Sequence, residues 1–141
     1  MYRFNEGTMD IPLEWQDQTT HVFSTSSGGR PGLSLTISRD EPPWGMSFDS
    51  YVTREFDAIS SAMKDYTEIE RSTVTLGDFE GVLSEYTWAA KTGPLHQLMA
   101  LVPTGKKVVV FTFTMPQSMS PDQKAQMLAV LHTVTLDGTL S

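Results

Sequence analysis

The chain has 141 residues, 39% of them hydrophobic, and this length suits one domain with its own core. Seventeen acidic and ten basic side chains give a net charge of −7 without a cluster of lysine or arginine, which disfavours binding to nucleic acid or anionic lipid. The absence of cysteine excludes disulfides, thiolate nucleophiles and thiolate zinc sites.

The first residues turn polar and acidic before any apolar run develops, so the sequence predicts no signal peptide. No apolar run reaches the roughly 18 residues that a membrane-spanning helix needs, which predicts no direct membrane insertion. Together with the missing cysteines, these features lead us to expect a cytoplasmic protein.

The early part of the chain carries short predicted strands. Residues 21–24 form the first of them, and a glycine-rich turn is predicted at residues 26–32. Residues 33–39 then alternate without a fault, with Leu35 and Ile37 on one face and serine and threonine on the other. This alternation predicts a strand with one buried face.

Two segments carry a helical repeat of apolar residues. The first covers residues 47–66, with Ser47 as its N-cap and an apolar stripe over about five turns. The second covers residues 121–134, where Ser120 and Gln123 form a capping-box pattern. These are the two principal helices of the predicted fold.

The strongest strand signal lies in residues 95–115, where two apolar arms meet at a turn-forming segment, residues 103–106. With Pro103 opposite Lys106, both faces of this hairpin are apolar, whereas an antiparallel sheet covered once shows polar residues on its wet side. The second cover must be more of this chain, a second copy or a different apolar molecule. Because two apolar faces exceed what two helices comfortably cover, we expect a homodimer.

Further strands are predicted at residues 67–76 and 82–90, which brings the count to about six. The predicted fold class is therefore α+β, a single domain over residues 1–141 with a mainly antiparallel sheet flanked by two principal helices.

Candidate chemistry is sparse. The histidines, His21, His96 and His132, stand far apart without a second ligand at short spacing, so no metal site is predicted. Glu68 and Glu70 lie two apart on one predicted strand face, where acid–base work is conceivable but solvated edge charge is commoner. No catalytic motif accompanies them, so we expect neither enzymatic activity nor a cofactor.

The order of three segments resembles DcrB-like domains over nearly the whole length: residues 11–15, residues 33–39 before Pro42, and residues 108–116 before the last helix. Within that group the chain is similar to the effector-associated (Eag) chaperones of bacterial type VI secretion, closely so to the Pseudomonas member that serves a PAAR-containing toxin effector. It departs from secreted members of the wider group, which carry a signal segment and a lipidation cysteine.

The resemblance implies a curved antiparallel sheet of the PsbP-like type and a homodimer without a cofactor. It also implies binding to the N-terminal transmembrane segments of a PAAR-containing effector. The chaperone would shield those segments until the effector is loaded onto the secretion spike, and it would reach the spike protein indirectly, through the effector.

The predicted client-binding surface combines strand residues with the inner edge of the first helix. Its members are Val22, Leu35, Ile37, Ile59, Ala62, Met63, Leu98 and Ala100. The alternative is that all eight are ordinary core, because burial within the domain and burial under a client leave the same apolar signature. A small-ligand carrier or an enzyme remains the alternative function, and would require an enclosed pocket or a cleft with clustered titratable groups.

Overall fold

A computed structural model describes residues 1–25 and 32–136. The predicted turn at residues 26–32 lies largely outside the described residues. The elements in chain order are β1 (Tyr2–Phe4), β2 (Gly7–Met9), β3 (His21–Ser24), β4 (Ser34–Asp40), α1 (Phe48–Ala62), β5 (Thr67–Leu76), β6 (Phe79–Ala90), β7 (Gly93–Thr104), β8 (Lys107–Pro116) and α2 (Pro121–Leu131).

Six of these strands form one sheet in the order β3-β4-β8-β7-β6-β5, and every neighbouring pair in it is antiparallel. Strands β1 and β2 form a separate two-stranded hairpin in an N-terminal arm, residues 1–20. The predicted α+β class, with about six antiparallel strands and two principal helices, is confirmed. No helix in the described part of the chain is long and apolar enough to cross a membrane.

The predicted central hairpin is formed by β7 and β8, with a small difference in register. Pro103 pairs with Val108, while Gly105 and Lys106 form the turn, with Gly105 at a φ of 90°. The prediction had placed Pro103 opposite Lys106, so the register is shifted by two residues. Because side chains alternate with a period of two, each residue keeps its predicted face despite this shift.

Helix α1 covers one face of the sheet, which we call the α1 face. It begins after the N-cap Ser47, whose hydroxyl oxygen accepts a hydrogen bond from the Ser50 N–H at 3.1 Å. It ends at Ala62, four residues before the predicted end, because the backbone of Met63 is extended. The buried cluster under the helix consists of Tyr51, Val52, Phe56, Leu101 and Val108.

Helix α2 covers the opposite face, the α2 face. The predicted capping box of Ser120 and Gln123 is present, and the helix ends at Leu131, three residues before the predicted end. Its buried side chains, Met127 and Leu131, join the larger of the two core clusters. The other buried members of that cluster are Val74, Leu76, Leu98, Ala100, Val102, Phe111, Phe113 and Met119.

Gly81 marks a close approach of β6 to β7. A Cβ atom at this position would clash with the carbonyl oxygen of Leu101 and would lie 3.0 Å from the Val102 Cα. Since backbone atoms cannot move aside easily, we expect Gly81→Ala to lower the free energy of unfolding by about 1–3 kcal/mol in urea titrations.

The matched control is Gly7→Ala, whose added Cβ would lie at an ordinary 3.6 Å from the Phe4 ring. We expect this control to change the free energy of unfolding by less than about 0.5 kcal/mol. Equal stability of the two variants would contradict the tight approach of β6 to β7.

Candidate functional site

The sheet is wider than one helix. Six strands at spacings of about 4.8 Å span about 24 Å, whereas an α-helix with its side chains is about 10 Å across. A single helix along the strands therefore covers about half of a face. The position of α1 decides which half of the α1 face stays open.

Helix α1 covers the part of this face nearest the β7–β8 turn and the part towards β5. Its buried cluster packs on Leu101 and Val108, while Phe56 lies under the Arg71 guanidinium of β5, 4.0 Å from the ring centroid. Just after the helix, Tyr66 packs on Tyr86 of β6 with ring centroids 5.3 Å apart. The half of the face formed by β3, β4 and the far end of β8 is left without a helix.

Small hydroxyl side chains form the floor of this open half. Ser34 and Thr36 on β4 pair with Thr114 and Thr112 on β8, so that the four side chains share a face, and Ser38 continues the row on β4. All five are half-buried. We call this region the open trough, with the floor residues Ser34, Thr36, Ser38, Gln97, Thr112 and Thr114.

Gln97 ties the floor together across three strands. The Trp88 indole N–H donates to the Gln97 Oε1 at 2.7 Å, and the Gln97 Nε2 donates to the Thr114 hydroxyl at 2.8 Å. Within the described residues, the hydroxyls of Thr36 and Thr112 have no such partner and are half-exposed. They can therefore hydrogen-bond to water or to a molecule lying in the trough.

One edge of α1 forms the wall of the open trough. Tyr51 lies on this edge, because its hydroxyl donates to the Asp40 carboxylate of β4 at 2.9 Å. Residues four, seven and eleven positions further along a helix share the same edge, so Glu55, Ala58 and Ala62 lie on the Tyr51 side of the helix. Both alanines are exposed and Glu55 is half-buried, so this wall is low and carries one carboxylate.

The α2 face is closed by a buried polar network that the sequence did not reveal. His96 on β7 accepts the Met119 N–H at Nδ1 over 2.8 Å, so its remaining proton lies on Nε2, which contacts the Glu85 carboxylate at 2.7 Å. Lys124 of α2 reaches the other Glu85 oxygen at 2.6 Å. The network anchors both the segment before α2 and the helix itself to the sheet.

The register of the β6–β7 hairpin is the sequence feature that could have predicted part of this network. Glu85 pairs with Leu98 and Thr87 pairs with His96, which makes Glu85 and His96 diagonal neighbours on one face. A correctly registered β6–β7 hairpin would have predicted the pair, but its connection to Lys124 depends on the placement of α2.

The carboxylates of Glu68 and Glu70, the candidate acid–base pair, do not lie on one strand face as predicted. Glu68 pairs with Tyr86 and Glu70 with Glu85, because a β-bulge between them shifts the register. The bulge turns the two carboxylates to opposite faces of the sheet, where Glu68 accepts a hydrogen bond from Ser84 at 2.7 Å. Among the described residues no cluster of three or more potential ligands could hold a metal ion.

One large cavity bears on the ligand-carrier alternative. It has a volume of about 620 Å³ and lies where the N-terminal arm meets the end of β4. Its lining mixes acids with bases, including Asp17, Arg39, Asp40 and Lys107, whereas small-molecule sites are mostly apolar.

Comparison with known proteins matches this fold to one family. The DcrB family model matches residues 6–133. The chain belongs to the DcrB family. This chain is 24% identical over 135 residues to a Pseudomonas aeruginosa protein named effector EagT6, a match covering 95% of this chain and 94% of that protein.

Solved structures that share the fold of this chain include the following two. The crystal structure of the P. aeruginosa protein PA94 has a TM-score of 0.80 at 23% identity and covers 96% of this chain and 95% of that one. The solution structure of PsbP from Synechocystis sp. PCC 6803 has a TM-score of 0.51 at 14% identity, with 82% and 78% covered. The expected relation to the PsbP-like fold is confirmed.

The eight predicted client-binding residues do not form one continuous surface. Leu35, Ile37, Leu98 and Ala100 belong to the α2 face, where Leu98 is 0% and Ala100 is 1% exposed. The other four belong to the opposite side of the sheet or to α1: Val22, Ile59, Ala62 and Met63. A client reaches Leu98 or Ala100 only if α2 moves away, and the client-binding role of all eight stays a prediction.

The floor of the open trough was not predicted, because the candidate surface was chosen from apolar residues alone. The signal that could have found it is the alternation of residues 33–39, which places Ser34, Thr36 and Ser38 together on the face opposite Leu35. Placing that face beside Thr112 required the β4–β8 pairing, which joins strands far apart in the chain.

The Glu85 network generates a pH prediction. Burial alone would raise the pKa of Glu85, but the hydrogen bonds from Lys124 and His96 outweigh it and hold this pKa below the ordinary value of 4.5. A lowered pKa in the folded state gives stability that is present above pH 4.5 and lost as the pH falls through the folded-state pKa.

We therefore expect Glu85→Gln to reduce the free energy of unfolding by about 1–3 kcal/mol at pH 7, measured in urea. The difference from wild type should shrink as the pH is lowered below 4.5. Glu80→Gln, an exposed change on the same strand, is the control and should match wild type at each pH. A pH-independent effect of Glu85→Gln would contradict the charge-based account.

Proposed function

We propose that this chain is a cytoplasmic chaperone and adaptor for a type VI secretion effector, without catalysis and without a cofactor. In this proposal it binds the hydrophobic N-terminal transmembrane segments of a PAAR-containing effector and shields them until loading. Membership of the DcrB family and the similarity to the protein named effector EagT6 support an effector-associated role. The observation that carries the proposal is the open trough.

A transmembrane helix is apolar on all sides and aggregates unless its surface is removed from water. The trough offers a floor wide enough for one helix, since the uncovered half of the α1 face matches the roughly 10 Å width of a helix. Covering several hundred Å² at about 25 cal/mol per Å² would contribute many kcal/mol before ordering costs. No nucleotide hydrolysis is needed for such binding.

A floor of small side chains lets a helix approach the sheet closely. Interfaces between membrane helices are rich in small residues and in serine and threonine, because backbones then approach closely and hydroxyls bond across the interface. Thr36 and Thr112 supply such hydroxyls from the sheet, while Ala58 and Ala62 allow close approach from α1. The trough therefore presents to a client the chemistry of a neighbouring transmembrane helix.

The predicted residues take different roles in this proposal. Val22 and Ala62 would border the open trough, Ile59 packs on the buried cluster under α1, and the half-buried Met63 follows the helix. The remaining four, Leu35, Ile37, Leu98 and Ala100, support the floor from the opposite face.

The proposal includes a homodimer, although for a different reason from the one the sequence suggested. The chain's own helices bury much of both sheet faces, so uncovered strand faces alone do not require a second copy. Ten large apolar side chains are exposed in the described part of the chain, and eight of them lie before residue 45. We take this concentration of exposed apolar side chains as support for a second copy that covers part of them. The spike protein is reached through the effector.

The test introduces one unpaired charge into the open trough. A carrier protein fused to an apolar segment of about 20 residues serves as the client. We expect Thr36→Glu to weaken capture of this fusion at least about tenfold in pull-down titrations, because a buried carboxylate without a partner is costly. The melting temperature should change by a few degrees at most, since Thr36 is half-buried.

Thr73→Glu is the matched control, because Thr73 is an exposed residue on the same sheet face, on the other side of α1. This variant should capture the fusion as wild type does. Equal capture by both variants would contradict the proposed site, and no capture by the wild-type chain would contradict the chaperone function itself.

A further inference from the structure

The two edges of the sheet differ in how they are protected against pairing with another strand. Strand β5 forms one edge and carries a β-bulge between Glu68 and Glu70. Both carboxylates and the nearby Arg71 are charged. Bulges and charges of this kind are the features that keep sheet edges apart in natural proteins.

Strand β3 forms the other edge and has none of these features. His21–Ser24 contains no proline, carboxylate, lysine or arginine, and its register with β4 is regular. Val22 on the α1 face is 65% exposed, and Phe23 on the α2 face is 59% exposed. An uncharged edge strand with apolar side chains on both faces is a template for pairing with a further strand.

Charge favours a second copy of this chain as the partner of β3. Each copy carries a net charge of −7, so two copies associate most easily where neither presents a carboxylate. Pairing of β5 with its own copy would oppose Glu68 and Glu70 to the same residues, whereas β3 brings no acid to the contact. A transmembrane client cannot take this place as a strand, because its backbone groups are bonded within its own helix.

We propose that β3 pairs antiparallel with β3 of a second copy, so that two six-stranded sheets become one continuous sheet. This inference rests on the homodimer of the proposed function and assigns its interface. The pairing is two-fold symmetric, so the same strand supplies both halves of the contact. Because Val22 is paired with Thr36 of the trough floor, the two open troughs then lie on the same face on either side of the dimer axis.

Symmetry restricts the register. Residues directly opposite each other in an antiparallel pair point to the same face, and a two-fold axis perpendicular to the sheet keeps each residue on its own face. A residue of β3 must therefore face its own copy, and an axis at Val22 or Phe23 pairs the most residues of this four-residue strand. Opposed Cα atoms lie about 4.5–5.5 Å apart, a separation that a disulfide bridges.

The absence of natural cysteine makes a single-cysteine experiment unambiguous. After oxidation with copper phenanthroline, we expect a covalent dimer for Val22→Cys or for Phe23→Cys. We expect none for Ile69→Cys, which occupies a comparably exposed apolar position, 52% exposed, on the β5 edge. Light scattering of the unmodified chain should give twice the 15.7 kDa chain mass.

A second set of variants tests the same interface without a crosslink. The double variant Val22→Lys with Phe23→Lys should raise the dimer dissociation constant at least about tenfold, because like charges then face each other. Ile69→Lys should leave it unchanged. The side chains of Val22, Phe23 and Ile69 are all exposed, so circular dichroism should show an unchanged fold in these variants.

The remaining outcomes overturn the inference in separable ways. A dimer that survives both lysine changes and crosslinks at Ile69→Cys places the interface elsewhere and leaves the proposed function intact. A wild-type monomer removes the homodimer, and capture of the apolar fusion by that monomer would still support the chaperone function. A β3 cysteine that crosslinks to a cysteine placed in the apolar segment of the fusion, instead of to its copy, would show that the client occupies this edge.

Discussion

The structure depends on one geometrical constraint, which is a six-stranded antiparallel sheet with two faces and, within the described residues, two helices to cover them. Helix α2 packs on the face with the longest apolar rows and closes it with the Glu85 network. Helix α1 covers the other face near the β7–β8 turn and towards β5. The remaining half of that face carries hydroxyl residues instead of large apolar ones, and this composition allows it to stay open to water.

The two faces therefore have different tasks. The α2 face holds most of the buried side chains and anchors its helix through the charged contact between Lys124 and Glu85, so it supplies stability. The α1 face is bound by a smaller apolar cluster, with Tyr51 as its largest fully buried member. A fold stabilised on one face can leave a trough on the other without losing its core, and such a trough is what shielding of an apolar helix requires.

Much of the fold follows from local patterns. Alternation, β-branched and aromatic composition and turn residues predicted the six strands, and the caps at Ser47 and Ser120 predicted where both helices begin. The residues of the central hairpin keep their predicted faces although the register differs by two residues. The helix ends, the bulge at Glu68 and the Glu85 network were not readable, because they depend on contacts between distant segments. The site was the hardest part, since Leu98 in a core and an apolar residue under a client look alike, and Thr36 looks like any solvent-facing residue.

The central claim is that a client helix binds on the hydroxyl floor between α1 and β3. Hydrogen exchange of the chain with and without the bound apolar fusion tests it most directly, because amide protection reports which segments a ligand covers. The account predicts increased protection in β4, in the far half of β8 and in the last turns of α1, with α2 unchanged. Increased exchange of α2 together with protection of the strands beneath it would contradict the account, since the client would then have replaced that helix.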